Sequence, residues 1–260
     1  MFEAGIFDFI LKPFDFTHFK TRIQVALKYQ KEATLRKQQE SMIQKDLFVA
    51  KKFQKNALSP PLNLEQIQID GLYVTSNTLG GDMYCWFKIN DHLTAILLYD
   101  AMGGHGIAAS LVTMSIRSLL KGMITKLIDP VAVIQELNRQ IYELFSDEDM
   151  DRFLMTAIYI LLDTKNGTLH YVNAAHPSGF LFGKYGETVF LPANTPILGL
   201  FPTIQINKKT IPLSGWHRII LYTDGLLTLN EQNSIDMDFF YAYASQDNSY
   251  ALQKFLKNTI

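Results

Sequence analysis

Cysteine is almost absent. Cys85 is the only one in 260 residues, so no disulfide can form within the chain, and a reducing, cytoplasmic setting is expected. Net charge is equally scarce: 24 Lys and Arg against 25 Asp and Glu leave a formal −1. That balance supplies no basic field for nucleic acid or an anionic membrane surface. No uninterrupted apolar run approaches the roughly 18 residues of a membrane span, and the N-terminus has no basic segment followed by an apolar one. Internal repeats and low-complexity tracts are missing too. What is present is ordinary globular composition, 48% apolar and 19% charged, in a chain long enough for one large domain and an appendage.

The most informative stretch is residues 93–106, where the run Leu93-Thr94-Ala95-Ile96-Leu97-Leu98-Tyr99 ends in Asp100 and then in Gly103, Gly104 and Gly106. It reads as a buried strand that delivers a carboxylate to a glycine turn ahead of a helix. Two more acids have the same setting. Gly80-Gly81-Asp82 opens an apolar strand, and Tyr222-Thr223-Asp224-Gly225 closes another. An Asp beside Gly is most often only a turn residue, but several at strand ends make an oxygen-donor site for a hard divalent cation, Mg²⁺ or Mn²⁺, the sharper expectation.

Together with Met155-Thr156-Ala157 and Ala174-Ala175-His176-Pro177, these motifs resemble, in order, the bacterial branch of the metal-dependent, 2C-type protein serine/threonine phosphatases. More narrowly, they are similar to the stage II sporulation protein E type and the stress-response sigma-regulator phosphatases. The resemblance covers roughly residue 53 to the C-terminus. It implies that Asp82 binds one metal, Asp100 bridges two, Ala101 lends its backbone carbonyl and Asp224 binds the second. The implied ions are two Mn²⁺ or Mg²⁺, which acidify water and neutralise phosphoryl charge during in-line attack. The implied substrate is a phosphoserine or phosphothreonine regulatory protein such as an anti-sigma-factor antagonist. A catalytically weak or inactive phosphatase-like binding module in the same pathway is the alternative.

The chain departs from the family pattern at three points. One extra residue separates Asp100 from Gly104-His105-Gly106, and His105 is left out of the metal shell. Thr228 stands where many relatives have Glu. The family's last metal acid has no match, with Asp236, Asp238 and Asp247 as unranked substitutes, and the final strand is expected to be missing.

Three segments are expected. Residues 1–30, with a short strand at 6–11, Lys12-Pro13 and a helix capped by Asp15 or Thr17, resemble the C-terminal end of a response-regulator receiver domain whose remainder would lie upstream. Residues 31–58 form a helical linker, free of Gly and Pro from 30 to 56, with Leu35, Met42 and Val49 seven apart. That spacing offers a thin seam for a homodimer, a solvated connector being the other reading. Residues 59–260 are the phosphatase domain, an α+β, four-layer α-β-β-α sandwich.

Within it, strands are predicted at 71–74, 83–89, 93–100, 155–163, 168–174, 180–182, 189–191, 204–211 and 218–223. Helices are predicted at 107–123, 130–145 with Asp129 as cap, 237–245 and 250–257. Asn166-Gly167 signals a hairpin. The first helix is read with Leu111, Met114, Ser115, Ser118 and Leu119 on one face. Strand alternation puts Asp82, Tyr84 and Trp86 on one side and Met83, Cys85 and Phe87 on the other.

Overall fold

The stretch rich in Lys, Gln and Glu folds as one continuous helix, α1 (Phe16–Ala57), in the computed structural model, which describes residues 8–13, 15–102, 106–144 and 153–226. Asp15 caps it, accepting from the Thr17 amide at 3.2 Å, and Pro60 and Pro61 follow its end, where a missing donor forbids further helix. The strand predicted before α1 does not form over residues 8–11. A strand without a neighbour leaves its backbone donors and acceptors unpaired. Phe9 and Leu11 are exposed, and Arg22 reaches back to Asp8 at 2.7 Å. The Lys12–Pro13 peptide bond is cis; residues 1–7 lie outside the described set.

The chain divides into two compact units, Met1–Lys52 and Phe53–Ile260. In chain order the strands of the second are β1 (Leu62–Asn63), β2 (Gln68–Ile69), β3 (Asp82–Lys88), β4 (Leu93–Met102), β5 (Leu154–Asp163), β6 (Thr168–Ala174), β7 (Gly179–Gly183), β8 (Thr188–Leu191), β9 (Lys209–Pro212) and β10 (Trp216–Ile220). They make a hairpin of β1 and β2, a five-stranded sheet in the order β3-β4-β5-β6-β9, and a three-stranded sheet in the order β10-β7-β8. Among the described residues, these strands all pair antiparallel.

Strand β5 shows why the layers stack. Its Ala157, Tyr159 and Leu161 join a core with helices α2 (Ile107–Leu127) and α3 (Pro130–Leu144). Its Ile158, Ile160 and Leu162 pack with Leu181 and Leu191 of the small sheet. Covered on both faces, the strand reads as a continuous apolar run rather than an alternation. Helices, large sheet and small sheet are therefore three layers of the expected sandwich. The helices predicted at 237–245 and 250–257 lie outside the described residues, as does residue 145.

Local chemistry sets the ends. Asp129 caps α3, its Oδ2 accepting from Val131 N and Ala132 N at 3.0 and 3.3 Å. Gly167 takes the left-handed conformation, φ 62, in the turn between β5 and β6. On the outer side of β3, the Ser59 hydroxyl accepts from Trp86 N at 3.0 Å and donates to Trp86 O at 3.2 Å.

Three expectations are corrected. Helix α2 buries Ala109, Val112, Thr113, Ile116, Leu120, Met123 and Ile124, whereas Leu111 and Leu119 are 63% and 43% exposed. Its apolar residues encircle the helix, and Thr113 can face the core because its hydroxyl donates to Ala109 O at 3.1 Å. Residues 71–74 form no strand; Gly71 lies against the Tyr84 ring and its carbonyl accepts from the Tyr84 hydroxyl at 3.2 Å. Of residues 204–211 only the end enters β9, because Asn207 is drawn to Thr195 Oγ1 at 3.2 Å and Asn194 O at 3.0 Å instead of a ladder. Helix α2 is also long and apolar enough to cross a bilayer, although Arg117 and Lys121 interrupt its apolar run; its buried face forms core with β3 and β4.

Candidate metal centre

Register delivers the first two acids. In the β3–β4 ladder Asp82 stands directly opposite Asp100, and in the β4–β5 ladder Asp100 stands opposite Thr156. Directly paired residues project from the same face, so Asp82, Asp100 and Thr156 form a row across three strands. The third acid comes from the other sheet. After β10 the chain reaches a single 3-10 turn, Asp224–Leu226, and Thr223 Oγ1 donates to Asp82 Oδ2 at 3.1 Å. Asp82, Asp100 and Asp224 each offer a carboxylate oxygen within 4.8 Å of the others.

Ala101 belongs to the same corner. Its amide donates to Gly81 O at 3.3 Å. A Cβ on Gly81 would lie 3.1 Å from Ala109 Cβ, 3.3 Å from Asp100 Oδ1 and 3.4 Å from Ala101 O. Glycine lets the β3 lead-in approach the acid and α2 without pressing them apart. Gly80 is gripped from the end of α1, where buried Gln54 donates to Gly80 O at 2.7 Å and accepts from Gly80 N at 3.1 Å.

The electrostatics follow from like charges in a part-buried space. Burial pushes Asp82 upward against hydrogen bonds from Asp100 and Thr223, with the Asp224 charge adding to the rise. Burial and then the Asp82 charge push Asp100 up to about 8. Two facing carboxylates that share a proton are expected to behave this way. An all-oxygen, anionic donor set under this repulsion suits a hard divalent cation, so the residues present fit the metal that their pattern implies.

Two neighbours, Tyr73 and Gln54, carried no signal in the sequence. The Tyr73 hydroxyl is buried without a hydrogen-bond partner among the described residues, and the Asp82 and Asp100 charges, after burial, hold it protonated. Gln54 acts on Gly80 across 26 positions, a separation no local pattern encodes. His176, in the quoted Ala174-Ala175-His176-Pro177 motif, is 3% exposed and hydrogen-bonds Thr156 Oγ1 through Nδ1 at 2.8 Å. Burial lowers its pKa to about 4, so the ring is neutral near pH 7. Cys85 alternates away from Asp82 as expected, and burial pushes its thiol up to about 12. His105, Thr228, Asp236, Asp238 and Asp247 lie outside the described residues.

The sequence profile of the family described as Stage II sporulation protein E (SpoIIE) matches residues 90–258. Phosphoserine phosphatase RsbP of Bacillus subtilis (strain 168) is 36% identical over 183 residues, covering 70% of this chain and 45% of that protein. The chain therefore spans less than half the length of this curated relative. Among solved structures, the SiaA-PP2C domain of Pseudomonas aeruginosa superposes with a TM-score of 0.67 at 19% identity, covering 85% of this chain and 90% of that one. RsbX in complex with magnesium superposes with a TM-score of 0.59 at 17% identity, covering 77% and 91%. These two likenesses place the helices and sheets in the PP2C phosphatase fold.

Proposed function

The chain belongs to the stage II sporulation protein E (SpoIIE) family, and from that premise we propose that it is a metal-dependent protein serine/threonine phosphatase of bacterial response-regulator signalling. Its substrate is a phosphorylated regulatory protein, with an anti-sigma-factor antagonist as the fitting class, and its setting is the cytoplasm. The observation that carries the reading is the meeting of Asp82, Asp100 and Asp224 from two sheets within 4.8 Å. In this reading residues 59–260 are the phosphatase domain, 31–58 the helical linker and 1–30 the receiver-derived end.

In this reading Asp82, Asp100, the Ala101 carbonyl and Asp224 would hold two divalent ions, Mn²⁺ or Mg²⁺. When bound, the ions supply acidified water and charge that offsets the phosphoryl oxygens during in-line displacement. The chain's own groups do the rest. Thr223 orients Asp82, and Gly81 keeps the approach to Asp100 open. A cysteinyl-phosphate route is excluded, because Cys85, the only cysteine, is fully buried with its thiol at about 12, and a thiol must ionise to attack.

The test is phosphate release from a phosphoserine protein or peptide as Mn²⁺ is added. Turnover should appear with the metal and return to the uncatalysed level on chelation. Tight binding of Mn²⁺ and phosphoprotein without phosphate release would replace the enzyme by the binding-module alternative.

For the linker we propose parallel self-association along α1. Leu35, Met42 and Val49 are 49%, 65% and 50% exposed, and their seven-residue spacing keeps them along one seam. Changing all three to Lys should convert a dimer to a monomer in analytical ultracentrifugation. An unchanged mass would assign self-association to another surface or to none.

A further inference from the structure

We propose that His176 is a positioning residue that sets Asp224 against Asp100, and that its hydrogen bond to Thr156 is the contact through which it acts. The proposal rests on the reading of Asp82, Asp100 and Asp224 as cation ligands. Asp82 and Asp100 belong to the five-stranded sheet, whereas Asp224 follows β10 of the three-stranded one. The distance between the acids is thus a distance between sheets. His176 stands where the chain passes from one sheet to the other, after β6 and before β7.

The imidazole hydrogen-bonds the Asp100 side and lies near the Asp224 side. Thr156, which Nδ1 contacts at 2.8 Å, is the residue directly opposite Asp100. On the other side, the Tyr222 backbone is close enough to favour a proton on the ring. Tyr222 lies two residues before Asp224, and its ring stacks on Phe180 of β7 at 5.5 Å. Nε2 is buried with no hydrogen-bond partner of standard geometry among the described residues.

The backbone that carries the ring is held firmly. His176 N donates to Asn173 Oδ1 at 2.8 Å, while Asn173 Nδ2 donates to Leu191 O at 2.9 Å. Ala175 adopts φ 52, and its amide donates to Thr195 O at 3.2 Å. A left-handed alanine and a fully buried Asn173 are costs that filling space alone does not require. Fixing one imidazole between the two acid-bearing segments gives them a purpose.

Groups that orient metal ligands without touching the ion alter affinity when removed. The experiment titrates the whole chain with Mn²⁺ by calorimetry, and follows the bound ion by electron paramagnetic resonance. Thr156→Val keeps shape but deletes the hydroxyl, and should weaken Mn²⁺ binding about tenfold or more, whereas Thr156→Ser should stay within about threefold of the parent. His176→Gln should match Thr156→Val. A merely structural role would lower the melting temperature of the variants and leave the affinity and spectrum of their folded fraction unchanged.

Imidazole ¹⁵N resonances of the unsubstituted protein give a second reading that needs no variant. Those of His176 should shift on Mg²⁺ addition and saturate with the binding isotherm. Unchanged affinity in Thr156→Val, or His176 resonances indifferent to bound Mg²⁺, would overturn the positioning role while the metal reading stands. No metal binding by the unsubstituted chain would overturn both.

Discussion

Asp100→Asn will abolish Mn²⁺ binding and lower turnover by at least about 10³-fold, because several kcal/mol of transition-state charge stabilisation leave with the ions. The same substitution will raise the melting temperature of the metal-free protein. Asp100 faces Asp82 across the ladder with Asp224 nearby, and burial plus these charges lift it to about 8. Its ordinary value is 3.8, so between these limits the folded state holds a proton that the unfolded state has released. Stability of the metal-free protein therefore falls as pH rises from about 4 to about 8, and the full penalty is present above that window.

Asn keeps the shape and removes the charge, so the slope from this group disappears in the variant. Divalent metal reverses the same slope in the parent, since a cation favours the ionised pair. Thermal melts from pH 4 to 9, with and without Mn²⁺, check every part. A metal-free Asp100→Asn protein less stable than its parent at pH 8 would show that the carboxylate is held by attraction rather than repulsion.

Gly81→Val has the second large effect, and it acts through space rather than charge. The first added carbon already meets Ala109 Cβ at 3.1 Å and Asp100 Oδ1 at 3.3 Å, and the branched methyls go further into the same corner. Relief requires β3 to part from α2 or the Asp100 carboxylate to swing away. We expect a stability loss of about 1–3 kcal/mol, the usual cost of overpacking, together with Mn²⁺ affinity reduced at least about tenfold through the displaced ligand. Urea unfolding and calorimetry read the two terms separately. Parental affinity in a folded Gly81→Val protein would show that the ions sit away from this corner.

The acids were legible because a buried strand announces itself and a glycine marks where it stops. Asp82, Asp100 and Asp224 each sit at such a junction, and the long β4 and β5 runs left little room for another register. What escaped the sequence depended on partners. The buried face of α2 could not be chosen from an apolar pattern that encircles the helix. Residues 71–74 have strand-like composition but no ladder to join among the described residues, and the same holds for residues 8–11. The contacts from Gln54 to Gly80 and from Thr223 to Asp82 join positions far apart in the chain, where only the folded sheets bring them together.

Ser59 has a consequence for how copies of this chain can meet. In the five-stranded sheet β3 is an outer strand among the described residues. Outer strands invite intermolecular strand addition through their free amides and carbonyls. Here the Ser59 hydroxyl occupies both outward groups of Trp86, and Trp86 Nε1 donates to Pro60 O at 2.9 Å. An incoming strand must displace the Ser59 hydroxyl from Trp86 before making its own bonds there, which protects the margin beside Asp82 from amyloid-like pairing and directs encounters between copies toward side-chain surfaces.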